Sequence, residues 1–218
     1  MIGNVTMGNY FRGALNYIYK IGVNLPEDKK PVQIETNNVV GHIKQMAWQM
    51  AEHAQNSRRL LQPVLHISVS FAPQDNLTQQ EEIDAVKAYI KYFGITEANH
   101  QWVLVKHFDS SISHYHLIAN KLNLDNKSLN VDWYRNDAVA IADRVEQELN
   151  LFRVQGRSRI FDSLTGEYRN VPKAKLEKII ESRQTKEFID KSYDLSDYKT
   201  TVRNSVNRMS NYATSLDE

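Results

Sequence analysis

His107-Phe108-Asp109-Ser110-Ser111-Ile112-Ser113-His114-Tyr115-His116-Leu117-Ile118-Ala119-Asn120 places three of the chain's seven histidines within ten residues, two of them separated by a single residue. Alternate side chains of a β-strand leave the same face, so His114, His116, Ile118 and Asn120 point one way while Tyr115, Leu117 and Ala119 point the other. One face is apolar and the other can hold an ion. Upstream, the run Gln101 to His107 reads as a second strand, and Phe108 to Ser113 turn it back as a hairpin that brings His107 and Asp109 beside His116. Imidazoles at i and i+2 sit roughly 6–7 Å apart at the backbone, a span that one ion bridges with M–N bonds of about 2.1 Å. A third imidazole from the neighbouring strand would leave positions open for a phosphate oxygen and water. One histidine alone would be an ordinary polar residue on a wet sheet face; the spacing His-x-Asp-x4-His-x-His-x3-Asn favours a site.

The composition sets the frame. At 218 residues the chain can bury a substantial core, as one domain with an appendage or two small ones. It is 41% hydrophobic and 24% charged, with no apolar run long enough to span a bilayer and no basic-then-apolar opening of the signal-peptide kind. With no cysteine, any metal must be held by nitrogen and oxygen, and the redox class fits the cytoplasm. Net charge is +1. Residues 151–218 hold 13 basic against 10 acidic residues, whereas residues 1–150 hold 14 against 16, so a nucleic-acid surface is placed near Arg157 and Arg159.

Strands and helices alternate through most of the chain. Met1–Met7 reads as a strand and the stretch from Asn9 to Tyr19 as a helix with Phe11, Leu15 and Ile18 on one side. A short strand at Val32–Glu35 follows, with Glu35 an accessory acid or a solvent-facing residue. Asn38 is placed as the cap of a helix reaching about Gln55. Val64–Phe71 alternates His66, Ser68 and Ser70 against Leu65, Ile67, Val69 and Phe71, a central strand whose polar face adjoins the histidines. Thr78 with Glu81 forms a capping box for a helix closed by Gly94. A helix from Trp133 or Tyr134 to Leu149 follows the hairpin, and charged helices are expected at Lys173–Lys191 and Ser196–Ala213. This order indicates an α/β sandwich with a mixed or antiparallel sheet.

The histidine window resembles the third motif of the relaxase/mobilisation-nuclease family, the MOBP-like branch of the HUH endonucleases. Gly13-Ala14-Leu15-Asn16-Tyr17-Ile18 resembles the family's first motif and Ser68-Val69-Ser70-Phe71-Ala72-Pro73 its second, so the likeness spans about residues 1–152. It implies an HUH-type sandwich, a central mostly antiparallel sheet flanked by helices, with residues 153–218 a basic loop and helical extension packing on the core or on DNA. It implies His107, His114 and His116 as ligands of a divalent metal, Mg²⁺ or Mn²⁺ with Zn²⁺ an alternative in crystals. Tyr17 takes the nucleophile's place with Tyr19 in reserve, Asp109 orients a histidine or assists deprotonation, Asn120 supports the site, and Ser70 contacts DNA. The activity implied is metal-assisted nicking of one DNA strand at a plasmid or mobile-element transfer origin through a 5′-phosphotyrosyl intermediate, with rejoining. A single-stranded or hairpin origin DNA is the implied substrate, with aromatic residues such as Trp133 and Tyr134 placed to stack bases and Trp102 read as core in preference to that role. Accessory mobilisation proteins and a coupling protein are the implied partners of a bacterial, cytoplasmic enzyme without membrane insertion. Family members commonly continue into further domains, so a longer parent chain is compatible with it. The alternatives are an HUH replication-initiator nuclease, in which the tyrosine typically follows the histidines, and a noncatalytic DNA-binding module with a structural metal.

Overall fold

The computed structural model describes residues 1–110, 112–131, 134–172 and 175–176. Apart from residues 175 and 176, the expected helices at 173–191 and 196–213 lie outside the described residues, as does Trp133. Strands β1 (Ile2–Gly8), β2 (Val32–Asn37), β3 (Val64–Ser70), β4 (Trp102–His107) and β5 (His114–Asn120) form one sheet in the order β1-β3-β5-β4-β2. Every neighbouring pair is antiparallel, and only β4 and β5 are joined as a hairpin.

Helices α1 (Phe11–Ile18) and α2 (Ile43–Ala54) cover one face; α3 (Gln79–Tyr92) and α4 (Tyr134–Glu148) cover the other. Phe11, Leu15 and Ile18 of α1 and Met46 and Met50 of α2 pack on Val64, Val103, Val105 and Ile118. The opposite set, Leu65, Ile67, Val69, Trp102, Leu104, Tyr115 and Leu117, meets Val86, Tyr89, Ile141 and Val145. Each strand residue thus goes to the layer that its parity dictates. A short hairpin, β6 (Arg159–Asp162) and β7 (Glu167–Asn170), packs on α4. No helix among the described residues is long and apolar enough to cross a membrane.

The capping box at Thr78 forms as expected: Glu81 accepts from the Thr78 amide at 2.8 Å, and the helix closes at Gly94 with φ +83°. Asn38 is not the cap of α2. It takes φ +53° and donates to the Glu97 and His100 carbonyls, while the helix starts at His42, whose amide is held by Gln45 Oε1 at 3.0 Å. Glu35 pairs with Lys87 of α3 at 2.9 Å, on the side of the sheet away from the histidines. Trp102 is fully buried, and Tyr134 packs against the same core, so neither offers a free ring to a base.

Hydrophobic periodicity gave no warning of Glu82, a buried carboxylate on α3. It accepts from Lys106 at 2.6 Å and from the Tyr115 hydroxyl at 2.7 Å, which lets two polar residues of the hairpin enter the α3 layer. Burial and this carboxylate push the Tyr115 phenol far up. Removing one member of such a group leaves the other charge uncompensated. Glu82→Ala should lower unfolding stability by roughly 3 kcal/mol, read by urea denaturation, and Glu82→Gln by less, because the amide still accepts from Tyr115.

Candidate metal centre

Register places the histidines. His107, the last residue of β4, lies opposite His114, and His116 lies between Val105 on one side and Ser68 on the other. The three rings therefore leave the α1/α2 face together. Their centroids stand 4.1 Å (His107–His116), 5.3 Å (His107–His114) and 5.4 Å (His114–His116) apart, with one ligand nitrogen from each within 4.8 Å of the others.

In each ring one nitrogen is engaged and the other is left for an ion. His107 Nε2–H donates to the Ile18 carbonyl at 2.7 Å, which frees Nδ1. His114 Nδ1–H donates to the Ile112 carbonyl at 3.0 Å, which turns Nε2 toward the other rings and Asp109, where an ion would take the place of the Asp109 contact. His116 Nδ1 lies 2.8 Å from His66 Nε2, so a His116 that ligates through Nε2 donates its Nδ1–H to His66. Burial, reinforced by the neighbouring imidazoles, lowers His107 to about 3 and holds His116 well below the ordinary histidine range. Both are neutral at pH 7, with lone pairs available.

Asp109 Oδ1 is 3.2 Å from His114 Nε2 and 4.0 Å from His107 Nδ1, on the side where the free nitrogens converge. The hydrogen bond to His114, then the ion pair with Lys20, holds its carboxyl far below the usual range. Three imidazole nitrogens within 4.8 Å of one another, with a carboxylate oxygen alongside, fit a divalent transition ion.

Tyr17 projects from α1 onto this cluster: its ring makes edge contacts with His66 (5.7 Å) and His116 (6.1 Å). Tyr19 is directed elsewhere. Its hydroxyl donates to Gln33 of β2, and burial pushes its phenol up to about 12, which disfavours it as the reserve nucleophile. Ser70 is buried on the same face as His114, with the half-buried Ser68 next to His116.

Two assignments change. Asn120 shares the histidine face of β5 but lies four residues beyond His116, roughly 13 Å along the strand. There it donates to the Met50 carbonyl (2.9 Å) and to Gln101 Oε1 (3.1 Å), tying α2 to the sheet rather than supporting the ion. Arg157 is buried, with Nη2 donating to Glu146 at 2.8 Å and to the Met1 carbonyl at 2.6 Å; Arg159 pairs with Asp137 at 3.1 Å. Both guanidiniums are committed to carboxylates around α4, away from the histidines.

Two residues near the centre had received no role from the sequence. His66 was visible only as one polar member of an alternating strand, and Lys20 carried no signal because its φ of +51° at the end of α1 turns it toward Asp109.

A family model described as relaxase, MobA/VirD2-like, nuclease domain matches residues 17–151. Among solved structures, the chain is similar to the Mn-bound MobM relaxase domain (MOBV; Mob_Pre) in complex with oriT DNA of plasmid pMV158. The TM-score is 0.50 at 11% identity, over 83% of this chain and 100% of that one, a likeness of fold. No curated protein matches the sequence.

Metal affinity should follow the hydrogen-bond chain. Titration calorimetry with Mn²⁺ should show binding lost in His116→Ala and weakened about 10- to 100-fold in His66→Ala, which removes only the acceptor behind the ligand. Burial also sets a pH dependence. His66 is lowered to about 4 from an unfolded value near 6.5, so its contribution is complete above pH 6.5 and declines as pH falls toward 4, where only the unfolded chain takes the proton. Metal-free protein should lose roughly 3 kcal/mol from this group across that window, and His66→Gln should flatten the decline in thermal melts.

Proposed function

The chain belongs to the MobA/VirD2-like relaxase nuclease family, and on that premise we propose that it nicks one DNA strand at a transfer origin by transesterification onto Tyr17. The observation that supports this most directly is the packing of the Tyr17 ring against His66 and His116, beside three imidazole nitrogens within 4.8 Å of one another. A nucleophile and an electrophile-binding group share one corner of the sheet.

Tyr17 Oη attacks phosphorus in line and the P–O3′ bond breaks as the 5′-phosphotyrosyl bond forms, the phenol proton passing to solvent water and the leaving 3′-oxygen taking one from it. When bound, a divalent ion polarises a non-bridging phosphate oxygen. His107, His114 and His116 would hold it, with Asp109 oxygen in reach. Three imidazoles suit Mn²⁺ better than Mg²⁺, which prefers oxygen ligands.

Tyr17 must lose its proton first. Asp109 is a poor base, since His114 and Lys20 hold it ionised. Lys20 contributes charge instead: its ammonium lies beside Asp109 and disfavours protonation of His107 and His116, and the same charge would offset negative charge developing on a phosphate held by the histidines. A phenol with a pKa near 10 is also a better leaving group than an alkoxide, so the 3′-hydroxyl can reverse the step and rejoin the strand without a nucleotide cofactor. An origin-containing single strand or extruded hairpin is the proposed substrate, delivered with accessory mobilisation and coupling proteins.

Incubation with fluorescent single-stranded origin DNA and Mn²⁺, followed by denaturing electrophoresis, should give a covalent adduct mapping to Tyr17. Tyr17→Phe should lower adduct formation more than 1,000-fold while binding DNA within about twofold of the parent, and Tyr19→Phe should retain it. Cutting without an adduct that survives Tyr17→Phe would identify a water nucleophile and defeat the proposal.

A further inference from the structure

The α1/α2 side differs from the α3/α4 side in how its cations are used. Arg144, Arg153, Arg157, Arg159 and Arg169 each pair with a carboxylate. Arg12, Arg58 and Arg59 form no ion pair among the described residues, and neither does Lys44. Residues 11–18 and 43–63 hold four basic residues and one acidic, whereas α3 and α4 together hold four basic against seven acidic. The helices on one face thus carry a surplus of acidic residues and those on the other a surplus of basic ones, and the histidines and Tyr17 lie on the second.

A groove of about 430 Å³ lies between α1 and the start of α2. Arg12 and Asn16 enter it from α1, His42 and Lys44 from α2, with Gln33 and Ile21 alongside; none of its lining residues is acidic. Asn16 and Arg12 lie on the flank of α1 that carries Tyr19 toward Gln33, so the groove runs along the side of the helix away from the Tyr17 ring. On α2, Lys44 and Trp48 are four residues apart and share the face opposite the buried Met46 and Met50. Trp48 is 64% exposed, whereas Trp102 is fully buried. Glu52, the acid of this face, lies beyond Trp48 and accepts from the Gln55 side chain at 3.1 Å.

We infer that this groove and Trp48 form a track for single-stranded nucleic acid across the α1/α2 side of the sheet. Arg12 and Lys44 hold backbone phosphates, and Trp48 stacks an unpaired base. The inference rests on the reading of the chain as a DNA nuclease. Unpaired cations beside amide side chains suit phosphates and base edges. An exposed indole set among the cations Arg12 and Lys44 suits a stacked base on a phosphate backbone. A duplex offers no free base face at this position, which selects the single strand.

The test is fluorescence anisotropy of labelled single-stranded (dT)25 and a mixed-sequence 25-mer in EDTA, so that no chemistry intervenes. Trp48→Ala should weaken binding roughly 5- to 100-fold, and Trp48→Phe should restore most of it. The Arg12→Gln/Lys44→Gln double variant should lower the salt slope by about 1.4, against no change for Arg144→Gln on the opposite face. Circular dichroism checks the fold of each variant. If the parent binds and nicks but Trp48→Ala and the double variant bind as it does, the track is overturned and the nuclease reading stands. If the parent binds neither oligonucleotide, and instead binds anionic vesicles, both fail.

Discussion

The pairing of His107 with His114 across the β4–β5 hairpin is the constraint on which the rest depends. A strand has a side-chain period of two, so a slip of one residue would send His114 and His116 into the α3/α4 core and bring Tyr115 and Leu117 out. What prevents the slip lies on the opposite face. Trp102, Leu104, Tyr115, Leu117 and Ala119 are buried there together, and Glu82 fixes both Lys106 and Tyr115 by hydrogen bonds. The histidines are held in place by residues that never touch them.

That arrangement explains which parts were legible from the sequence. The hairpin, the alternation of β3, the capping box at Thr78 and the convergence of the three histidines follow from periodicity and local chemistry, which act over a few residues. Asn120 shows where such reasoning stops: parity put it on the correct face, but the helix above it changes along the strand, and the residue meets the Met50 carbonyl instead of an ion. Arg157 and Arg159 failed for a related reason. A local excess of basic residues says nothing about carboxylates contributed from α4, and Asp137 and Glu146 consume both guanidiniums. Tyr17 and Tyr19 are two residues apart on one helix, roughly 200° around its axis, and only the packing of Phe11, Leu15 and Ile18 decides which meets the histidines.

Electrostatics divides the molecule along the same plane. On the α3/α4 side, buried carboxylates such as Asp143 and Glu146 are compensated by Arg153 and Arg157, and those interactions lock the short β6–β7 hairpin to α4. On the α1/α2 side the buried His66, His107 and His116 are kept neutral by desolvation, and Arg12, Lys44, Arg58 and Arg59 form no ion pair among the described residues. A polyanion approaching such a molecule is attracted to the face where the reactive groups are, and repelled by the other.

The end of α1 joins the two halves of the site. Helix α1 is only eight residues long, too short to be stable by propensity, so packing on the sheet sets its position. It presents Tyr17 to His66 and His116, and through the next residue's backbone carbonyl it accepts the Nε2–H of His107. The orientation of one ligand is therefore governed by the same turn of backbone that carries the phenol. No side-chain substitution at residue 18 deletes that carbonyl, but any change in how Leu15 and Ile18 seat on Val105 and Ile118 moves the phenol and the ligand together. Because the proposed nucleophile Tyr17 and the proposed ligand His107 are referenced to one peptide unit, their separation is held to within local backbone fluctuation, the tolerance that the proposed in-line attack would demand.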